Sequence, residues 1–249
     1  MTVVLALDTT TRAGSVALLE DDRVREERRG DPSRTHAERL PGEILAVLKA
    51  CGVSVRDVDL FAVAVGPGSF TGLRVGIATI QGLAFVHRRR VAGVSALDAL
   101  ACAAGAGAPP GTLVAAWMDA HRREVFSALY RVTAAPAFAR DRLVEIEAAR
   151  VGDPEATLAR WTARGWAAPA LFAGDGALLY EEVVRRGAAG AAIVPPPPLA
   201  GAIGRLALAR AGAGGAADPA AIRPLYVRRP DAEIARENSP PQRTPRTRR

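Results

Sequence analysis

The sequence has few of the residues that build metal sites or disulfide frameworks. Its two cysteines, Cys51 and Cys102, lie far apart without a CxxC pair, which indicates neither a zinc site nor a disulfide framework. Its three histidines, His36, His87 and His121, are scattered and lack the spacing of metal ligands. These shortages predict a protein without a bound metal ion that resides in the reducing cytoplasm.

Long hydrophobic runs are also missing. The N-terminus has six apolar residues without a basic leader, which is too short for a signal peptide or a membrane span. The chain of 249 residues is 49% apolar and 24% charged, as is ordinary for a soluble globular protein with one large or two modest domains. We therefore expect a cytoplasmic protein with no membrane association.

Lysine is almost absent, since Lys49 is the only one, and arginine carries the formal net charge of +7. Four arginines and no acidic residue lie in the last ten positions, so the rest of the chain has a charge of only +3. A body this mildly basic does not by itself indicate a nucleic-acid-binding surface. The segment 230–249 is rich in proline, arginine and polar residues and is predicted to be disordered.

The order of predicted elements indicates a duplicated α/β architecture. A three-stranded meander opens the chain, a helix, strand, helix, strand and helix follow, and a second meander begins after a segment rich in glycine, alanine and proline. The ranges are strands 3–9, 14–20 and 22–29, helix 36–51, strand 60–65, helix 69–87, strand 91–95, a helix from Ala96, linker 103–111, strands 112–120 and 124–132, a strand and turn at 171–177 and helix 203–212. Residues 134–170 give no clear pattern.

The stretch GPGSFTGLRVG, residues 66–76, resembles a phosphate-binding loop but fits neither common template. A P-loop requires lysine after its last glycine, and Gly72 is followed by Leu73. A dinucleotide-binding loop requires a third glycine where this chain has Thr71. The stretch is therefore interpreted as a strand-to-helix turn in which Ser69 or Thr71 caps the helix.

Two stripes run along the helix that this turn begins. One is apolar and suits the chain's own core: Leu73, Ile77, Ile80 and Ala84. The other consists of the small residues Gly72, Gly76 and Thr79, which would let another helix approach closely. We predict that this second stripe docks a partner protein, and the alternative is packing on helix 36–51 of the same chain.

Several blocks along the chain resemble those of the bacterial TsaB family, also called YeaZ. They are LALDTTTRAGSVALLE, THAERLPGEI, AVAVGPGSFTGLRVGIATIQGLAF, GVSALDALA, MDAHRREVFSALY, FAGDGA and PLYVRRPDAE, and they are densest over residues 3–130. The resemblance implies an actin-like ATPase (ASKHA) fold of two duplicated subdomains, each with a mixed sheet and flanking helices. It places an N-terminal, partner-binding subdomain at 1–102, the linker at 103–111, a C-terminal subdomain at 112–229 and the tail at 230–249.

The resemblance also implies a function in tRNA modification. The family is the non-catalytic scaffold in making threonylcarbamoyladenosine at position 37 of ANN-decoding tRNAs, where it dimerises with its catalytic paralogue TsaD and supports docking of the ATPase TsaE. It reaches tRNA indirectly, through the complex, and a homodimer is possible. Because the family pairs through its N-terminal subdomain, Pro41 and Leu45 join Gly72, Gly76 and Thr79 in the predicted interface. The arginines of the tail either add phosphate contacts to tRNA or are merely solvated.

Departures from the catalytic paralogue predict no catalytic residue and no metal ligand here. The paralogue holds a metal through a histidine pair, and the corresponding stretch, SALDALA at 95–101, has neither histidine. Asp8, with Thr10 where a kinase has glycine, and the loops with Asp119 and Asp175 are possible vestiges of nucleotide contacts. No cofactor is expected beyond weak nucleotide binding at the partner interface. The alternative function is a stand-alone actin-like phosphotransferase or ATPase.

Overall fold

The structure is a computed structural model that describes residues 1–228. The predicted tail, 230–249, lies outside the described residues. Within them, ten strands form two five-stranded sheets, and seven α-helices flank these sheets.

The first sheet contains the N-terminal meander and two parallel strands. Its strand order is β3-β2-β1-β4-β5; β1, β2 and β3 pair antiparallel, and β4 and β5 run parallel to β1. The strands are β1 (Val3–Asp8), β2 (Ser15–Glu20), β3 (Arg23–Arg29), β4 (Leu60–Gly66) and β5 (Arg90–Ser95). The helices of this half are α1 (His36–Ala50), α2 (Phe70–His87) and α3 (Ala96–Ala104).

The second sheet repeats this topology. Its order, β8-β7-β6-β9-β10 when read from the meander side, matches the first sheet strand for strand, with the same antiparallel and parallel pairings. The strands are β6 (Leu113–Asp119), β7 (Val125–Val132), β8 (Leu143–Gly152), β9 (Leu171–Ala173) and β10 (Ala192–Val194). The helices are α4 (Pro154–Ala163), α5 (Asp175–Leu179), α6 (Glu181–Gly187) and α7 (Ala200–Ala211). The predicted duplicated α/β fold with two mixed sheets is confirmed.

Helices α1 and α2 pack side by side on one face of the first sheet. The apolar positions that the sequence spaces helically, such as Leu40, Ile44, Ile77 and Ile80, are buried against β1, β2 and β4. Burial of each such side chain stabilises the fold by about 1.5–3 kcal/mol. Because only one side of each helix is used in this core, the opposite sides of α1 and α2 lie at the surface.

Helix α7 returns to the first sheet although it follows the second sheet in the sequence. Its first amides donate to Ser15 Oγ and to the carboxylate of Glu27, at 2.8–3.1 Å. Gly204 brings it close to the sheet, since an added Cβ would lie 2.4 Å from Leu19 Cδ1. The range predicted for the C-terminal subdomain, 112–229, therefore contains a helix that packs on the N-terminal sheet.

A buried arginine ties the connection between the two halves to the second sheet. Arg142 is 6% exposed, and its two terminal nitrogens donate to five backbone carbonyls at 2.7–3.2 Å. Three of these carbonyls, those of Gly105, Ala106 and Ala108, follow the end of α3, and two, those of Thr133 and Ala135, follow β7. The segment predicted as a linker is thus held by one guanidinium group.

Replacing Arg142 by methionine keeps the length of the side chain but leaves these carbonyls without their donor. Since buried acceptors without a partner are costly, we expect the free energy of unfolding to fall by about 3 kcal/mol or more. Denaturant unfolding of the variant and the parent measures this difference. The control is Arg140→Met, at an exposed position two residues away, which should change stability by less than about 0.5 kcal/mol. Equal effects of the two substitutions would contradict the assignment.

Candidate functional site

The first candidate nucleotide loop, between β1 and β2, is satisfied by its own residues. Asp8 is 3% exposed, and its Oδ1 accepts hydrogen bonds from the backbone N–H of Thr10 at 2.9 Å and from Thr10 Oγ1 at 2.6 Å. Burial raises the pKa of Asp8 above its usual value, while the hydrogen bonds from Thr10 act in the opposite direction. The carboxylate therefore serves to shape this turn.

The glycine-rich segment closes over the same loop. The backbone N–H of Ser69 donates to the carbonyl of Thr10 at 2.8 Å, and a Cβ on Gly68 would lie 2.5 Å from Thr10 Cβ. Ser69 caps α2 by accepting from the N–H of Gly72. The main-chain N–H and C=O of Thr10 are both engaged, so this turn presents neither group to a phosphate.

Gly72 and Gly76 pack inside the chain, which corrects the prediction that they face a partner. Both are buried, and a Cβ would lie 2.1 Å from the carbonyl oxygen of Thr9 at Gly72 and 2.2 Å from Thr9 Oγ1 at Gly76. The small stripe thus lets α2 approach the β1–β2 loop rather than another molecule. The alternative of internal packing holds: this loop is the nearest neighbour of both glycines, and a Cβ on Gly72 would also lie 3.2 Å from the ring of His36 at the start of α1. Thr79 is half-buried, and its hydroxyl donates to the carbonyl of Val75 at 2.8 Å.

The outward sides of α1 and α2 form an exposed apolar surface, which we name the outer face. Its largest side chains are 66% (Leu45), 79% (Phe85) and 73% (Val86) exposed. Between them lie small residues, and a Cβ on Gly42 or Gly82 would meet nothing within 4 Å. The outer face consists of Pro41, Gly42, Leu45, Ala78, Gly82, Phe85 and Val86. It includes Pro41 and Leu45 from the predicted interface.

The second candidate loop, between β6 and β7, is likewise held by internal hydrogen bonds. Asp175 Oδ1 accepts from the backbone N–H groups of Asp119 and Gly176 at 3.0 and 2.9 Å, and Asp119 Oδ1 accepts from that of His121 at 2.8 Å. Burial raises the pKa of Asp175, opposed by those hydrogen bonds, and the charge of Asp119 raises it further. The charge of Asp175 also raises the pKa of Asp8.

A C-terminal strap, residues 222–228, crosses from the first sheet to the second loop. The N–H of Leu225 donates to the carbonyl of Val65 at 2.7 Å, and Arg228 donates to the carbonyl of Ala120 and pairs with Glu124. No function is predicted for this segment from its residues. This strap contains PLYVR, the first part of the PLYVRRPDAE block of the sequence. The ring of Tyr226 in that block lies 5.1 Å from the ring of Phe70.

Two of the three histidines, His36 and His121, make local contacts, and no metal centre forms in residues 1–228. His36 Nε2 lies 2.9 Å from the carbonyl oxygen of Thr11, and His121 Nδ1 lies 3.0 Å from Asp119. Over these residues, no three side chains of histidine, cysteine, aspartate or glutamate are placed to hold a metal ion. The same residues include no helix that is both long and apolar enough to cross a membrane.

Comparison with known proteins places this arrangement in a family. The two duplicated mixed sheets are those of the actin-like ATPase fold. Residues 31–189, more than half of the chain, match the family model described as TsaD: tRNA N6-adenosine threonylcarbamoyltransferase. The solved structure of YeaZ from Pseudomonas aeruginosa has a TM-score of 0.73 and 32% identity, and the match covers 91% of this chain and 100% of that one. The chain belongs to the TsaB/YeaZ family.

Curated relatives match this chain over about half of its length. The tRNA threonylcarbamoyladenosine biosynthesis protein TsaB of Escherichia coli (strain K12) is 40% identical over 129 residues, which are 51% of this chain and 54% of that protein. The TsaB of Haemophilus influenzae is 42% identical over 125 residues, which are 49% of this chain and 51% of that protein. The chain thus spans about half the length of these curated relatives.

The two glycine environments on α2 give a matched pair of substitutions. Gly76→Leu places a side chain against Thr9, so overpacking should lower the free energy of unfolding by about 2–3 kcal/mol. Gly82→Leu meets open space and should raise it by several tenths of a kcal/mol, because leucine has the higher helix propensity. Thermal or denaturant melts of the single chain test both. If the Gly76→Leu variant melts like the parent, the assignment of Gly76 to internal packing against Thr9 is wrong.

Asp8→Asn should relieve a pH-dependent penalty while keeping the turn, because the asparagine oxygen can still accept from Thr10. Because burial raises the pKa of Asp8 in the folded chain, ionisation of this aspartate lowers the free energy of unfolding. The penalty is absent below the unfolded-state pKa, grows as the pH rises toward the folded-state pKa and is complete above it. The free energy of unfolding of the variant relative to the parent should therefore rise from acid to neutral pH.

Denaturant unfolding at a series of pH values measures this difference. The control, Asp8→Ala, removes the acceptor of the Thr10 N–H and should destabilise the chain at every pH. A pH-independent difference for Asp8→Asn would show that Asp8 is ionised and well compensated in the folded chain.

Proposed function

We propose that this chain is an accessory subunit, without catalytic residues of its own, in the synthesis of threonylcarbamoyladenosine in tRNA in the cytoplasm. The observation that carries the proposal is the exposed outer face of α1 and α2. It lies on a chain whose first candidate nucleotide loop is occupied by internal hydrogen bonds. An exposed apolar surface, on a chain whose β1–β2 loop is closed by its own hydrogen bonds, fits a scaffold subunit better than an enzyme.

In this role the outer face docks on a catalytic subunit of the TsaD type. The catalytic subunit transfers the threonylcarbamoyl group to adenosine 37 of ANN-decoding tRNAs, and this chain stabilises it and supports docking of the ATPase TsaE. Membership in the TsaB/YeaZ family and the match to the TsaD family model support this assignment. The names of the E. coli and H. influenzae relatives point to the same modification.

The physics of the outer face favours an obligatory partner. Large apolar side chains that stay this exposed contribute nothing to the chain's own core, and contiguous exposed apolar patches mark interaction sites. Gly42 and Gly82 add open positions at which a partner helix can approach to near backbone contact. Docking would bury Leu45, Phe85 and Val86 together, at about 25 cal/mol for each Å² of apolar surface removed from water.

The alternative, a stand-alone actin-like phosphotransferase, needs backbone N–H groups that can reach a phosphate at the β1–β2 loop. In this chain the N–H of Thr10 is bonded to Asp8, and that of Gly14 to Thr11 Oγ1 at 3.1 Å. The glycine-rich segment also packs on Thr10. Nucleotide binding there would require these loops to separate, which is why the docking function is preferred.

Truncating the most exposed side chain of the outer face should separate binding from folding. Phe85→Ala should weaken association with the TsaD-type subunit by about 5- to 150-fold, corresponding to a loss of about 1–3 kcal/mol at a buried aromatic anchor. The melt of the single chain should not change, because Phe85 is exposed there. Titration calorimetry with the purified catalytic subunit provides the affinity.

The matched control is Leu179→Ala, which shortens a side chain that is 60% exposed on α5, in the other half of the chain. It should leave both the affinity and the melt unchanged. If Phe85→Ala binds like the parent, or if both variants lose affinity equally, the outer face of α1 and α2 is not the docking surface.

A further inference from the structure

The outer face carries a one-sided charge pattern along α2. Helix α2 contains no acidic residue between Phe70 and His87. Arg74 is exposed in its second turn, and Arg88 and Arg90 are exposed just beyond its end. At a rise of 1.5 Å per residue, Arg74 and Arg88 lie about 21 Å apart. The apolar stripe of Ala78, Gly82 and Phe85 therefore has a positive charge at each end.

These guanidinium groups lack acidic partners within the described chain. Arg74 lies 4.0 Å from the centre of the Phe70 ring and donates to the hydroxyl of Tyr226 at 3.2 Å. Arg90 donates to the carbonyl of Ala216 at 3.0 Å. Arg88 caps the helix with a left-handed backbone, φ 52°, and forms no ion pair with any residue of 1–228. By contrast, Arg89 between them is paired with Asp59 at 3.5 Å.

Helix α1 contains two carboxylates, and one of them is paired with a cation. The carboxylate of Glu38 at its start accepts from Thr35 N and Oγ1 at 2.8 and 2.7 Å, and the carboxylate of Glu43 pairs with Arg39. At its other end the exposed charge is Lys49, which is again positive. The carboxylate of Glu43 is therefore paired within α1, whereas that of Glu38 is hydrogen-bonded to uncharged groups and keeps its charge at the start of the helix.

We infer that the outer face selects a partner with acidic side chains at both ends of its own apolar stripe, and selects against a second copy of this chain. This inference rests on the proposed docking function and adds the chemistry of the partner. In a two-fold contact between copies, antiparallel α2 helices would bring Arg74 of one copy toward Arg88 of the other. Parallel α2 helices would bring each arginine toward the same arginine of the other copy. Either arrangement opposes like charges, whereas carboxylates at these positions attract.

The test uses Arg88→Glu, because no ion pair in residues 1–228 is lost when this arginine is replaced. Its control is Arg131→Glu on β7, an exposed position of the second sheet with the same change in net charge. At about 0.05 M salt, Arg88→Glu should weaken binding to the TsaD-type subunit by about three- to tenfold. At about 0.5 M salt the effect should largely vanish, because exposed charges are screened. Arg88→Gln should give a smaller loss, and Arg131→Glu none.

Sedimentation of the chain without partner tests the second half of the inference. The parent should self-associate more weakly than it binds the TsaD-type subunit, and more strongly at high salt than at low salt. If the α2 helices pair antiparallel, the Arg88→Glu variant by itself should self-associate more strongly than the parent at low salt. If they pair parallel, an equal mixture of the variant and the parent should associate more strongly than the parent alone. Arg131→Glu should do neither.

The outcomes separate the two claims. If the affinity for the catalytic subunit changes neither with salt concentration nor in Arg88→Glu, the charge inference is overturned, and the proposed function still stands. A parent that dimerises as tightly as it binds the catalytic subunit overturns it as well. A folded parent that does not bind the catalytic subunit at all overturns the proposed function, and the inference with it.

Discussion

The close approach of α2 to the β1–β2 loop is the contact on which the other features of the N-terminal half depend. Gly72 and Gly76 allow it, because any side chain there would occupy the space of Thr9. Once α2 lies this close, Ser69 can bond the carbonyl of Thr10, and the glycine-rich segment closes over the first candidate nucleotide loop. The same approach fixes the rotation of α2, so that Gly82 and Phe85 point outward. Closure of the loop and presentation of the outer face are consequences of one packing contact.

The second half is held to the first by polar junctions as well as by a shared core. Buried residues of both sheets, such as Ala6 and Ala116, belong to one apolar cluster with α3 and α7. At its edge, Asp98 of α3 accepts from the hydroxyl of Tyr130 on β7 at 2.8 Å and pairs with Arg210 of α7 at 2.5 Å. This carboxylate therefore links elements of both sheets. The two halves of the fold are therefore joined both by a shared core and by these polar contacts.

The duplicated fold was accessible from sequence because its first half has strong periodic signals. The apolar spacing of α1 and α2 and the two meanders predict the elements within a residue or two. Strand β8 and helix α4 fell in residues 134–170, where a mixed apolar pattern hid the strand, although Asp153 followed by proline is a helix-start signal. The side on which the Gly72–Gly76 stripe packs was not accessible, since helical spacing gives a stripe but not its neighbour. The strap and its ties to Val65 and Ala120 join residues distant in sequence, which no local pattern reveals.

The scarcity of lysine has a structural counterpart in how the arginines are used. Arg142 satisfies five carbonyls with one planar group, Arg39 donates to the carbonyls of Arg12 and Ala13 while pairing with Glu43, and Arg228 joins a carbonyl to a carboxylate. A lysine, with three donors on a single nitrogen, could not span such sets. Part of the positive charge in this sequence is therefore internal, stabilised by backbone carbonyls and by paired carboxylates rather than displayed to a ligand. Arg74, Arg88 and Arg90 around the outer face are a separate set. Because no acidic residue within the described chain pairs with them, their charges are available to acidic side chains of a partner.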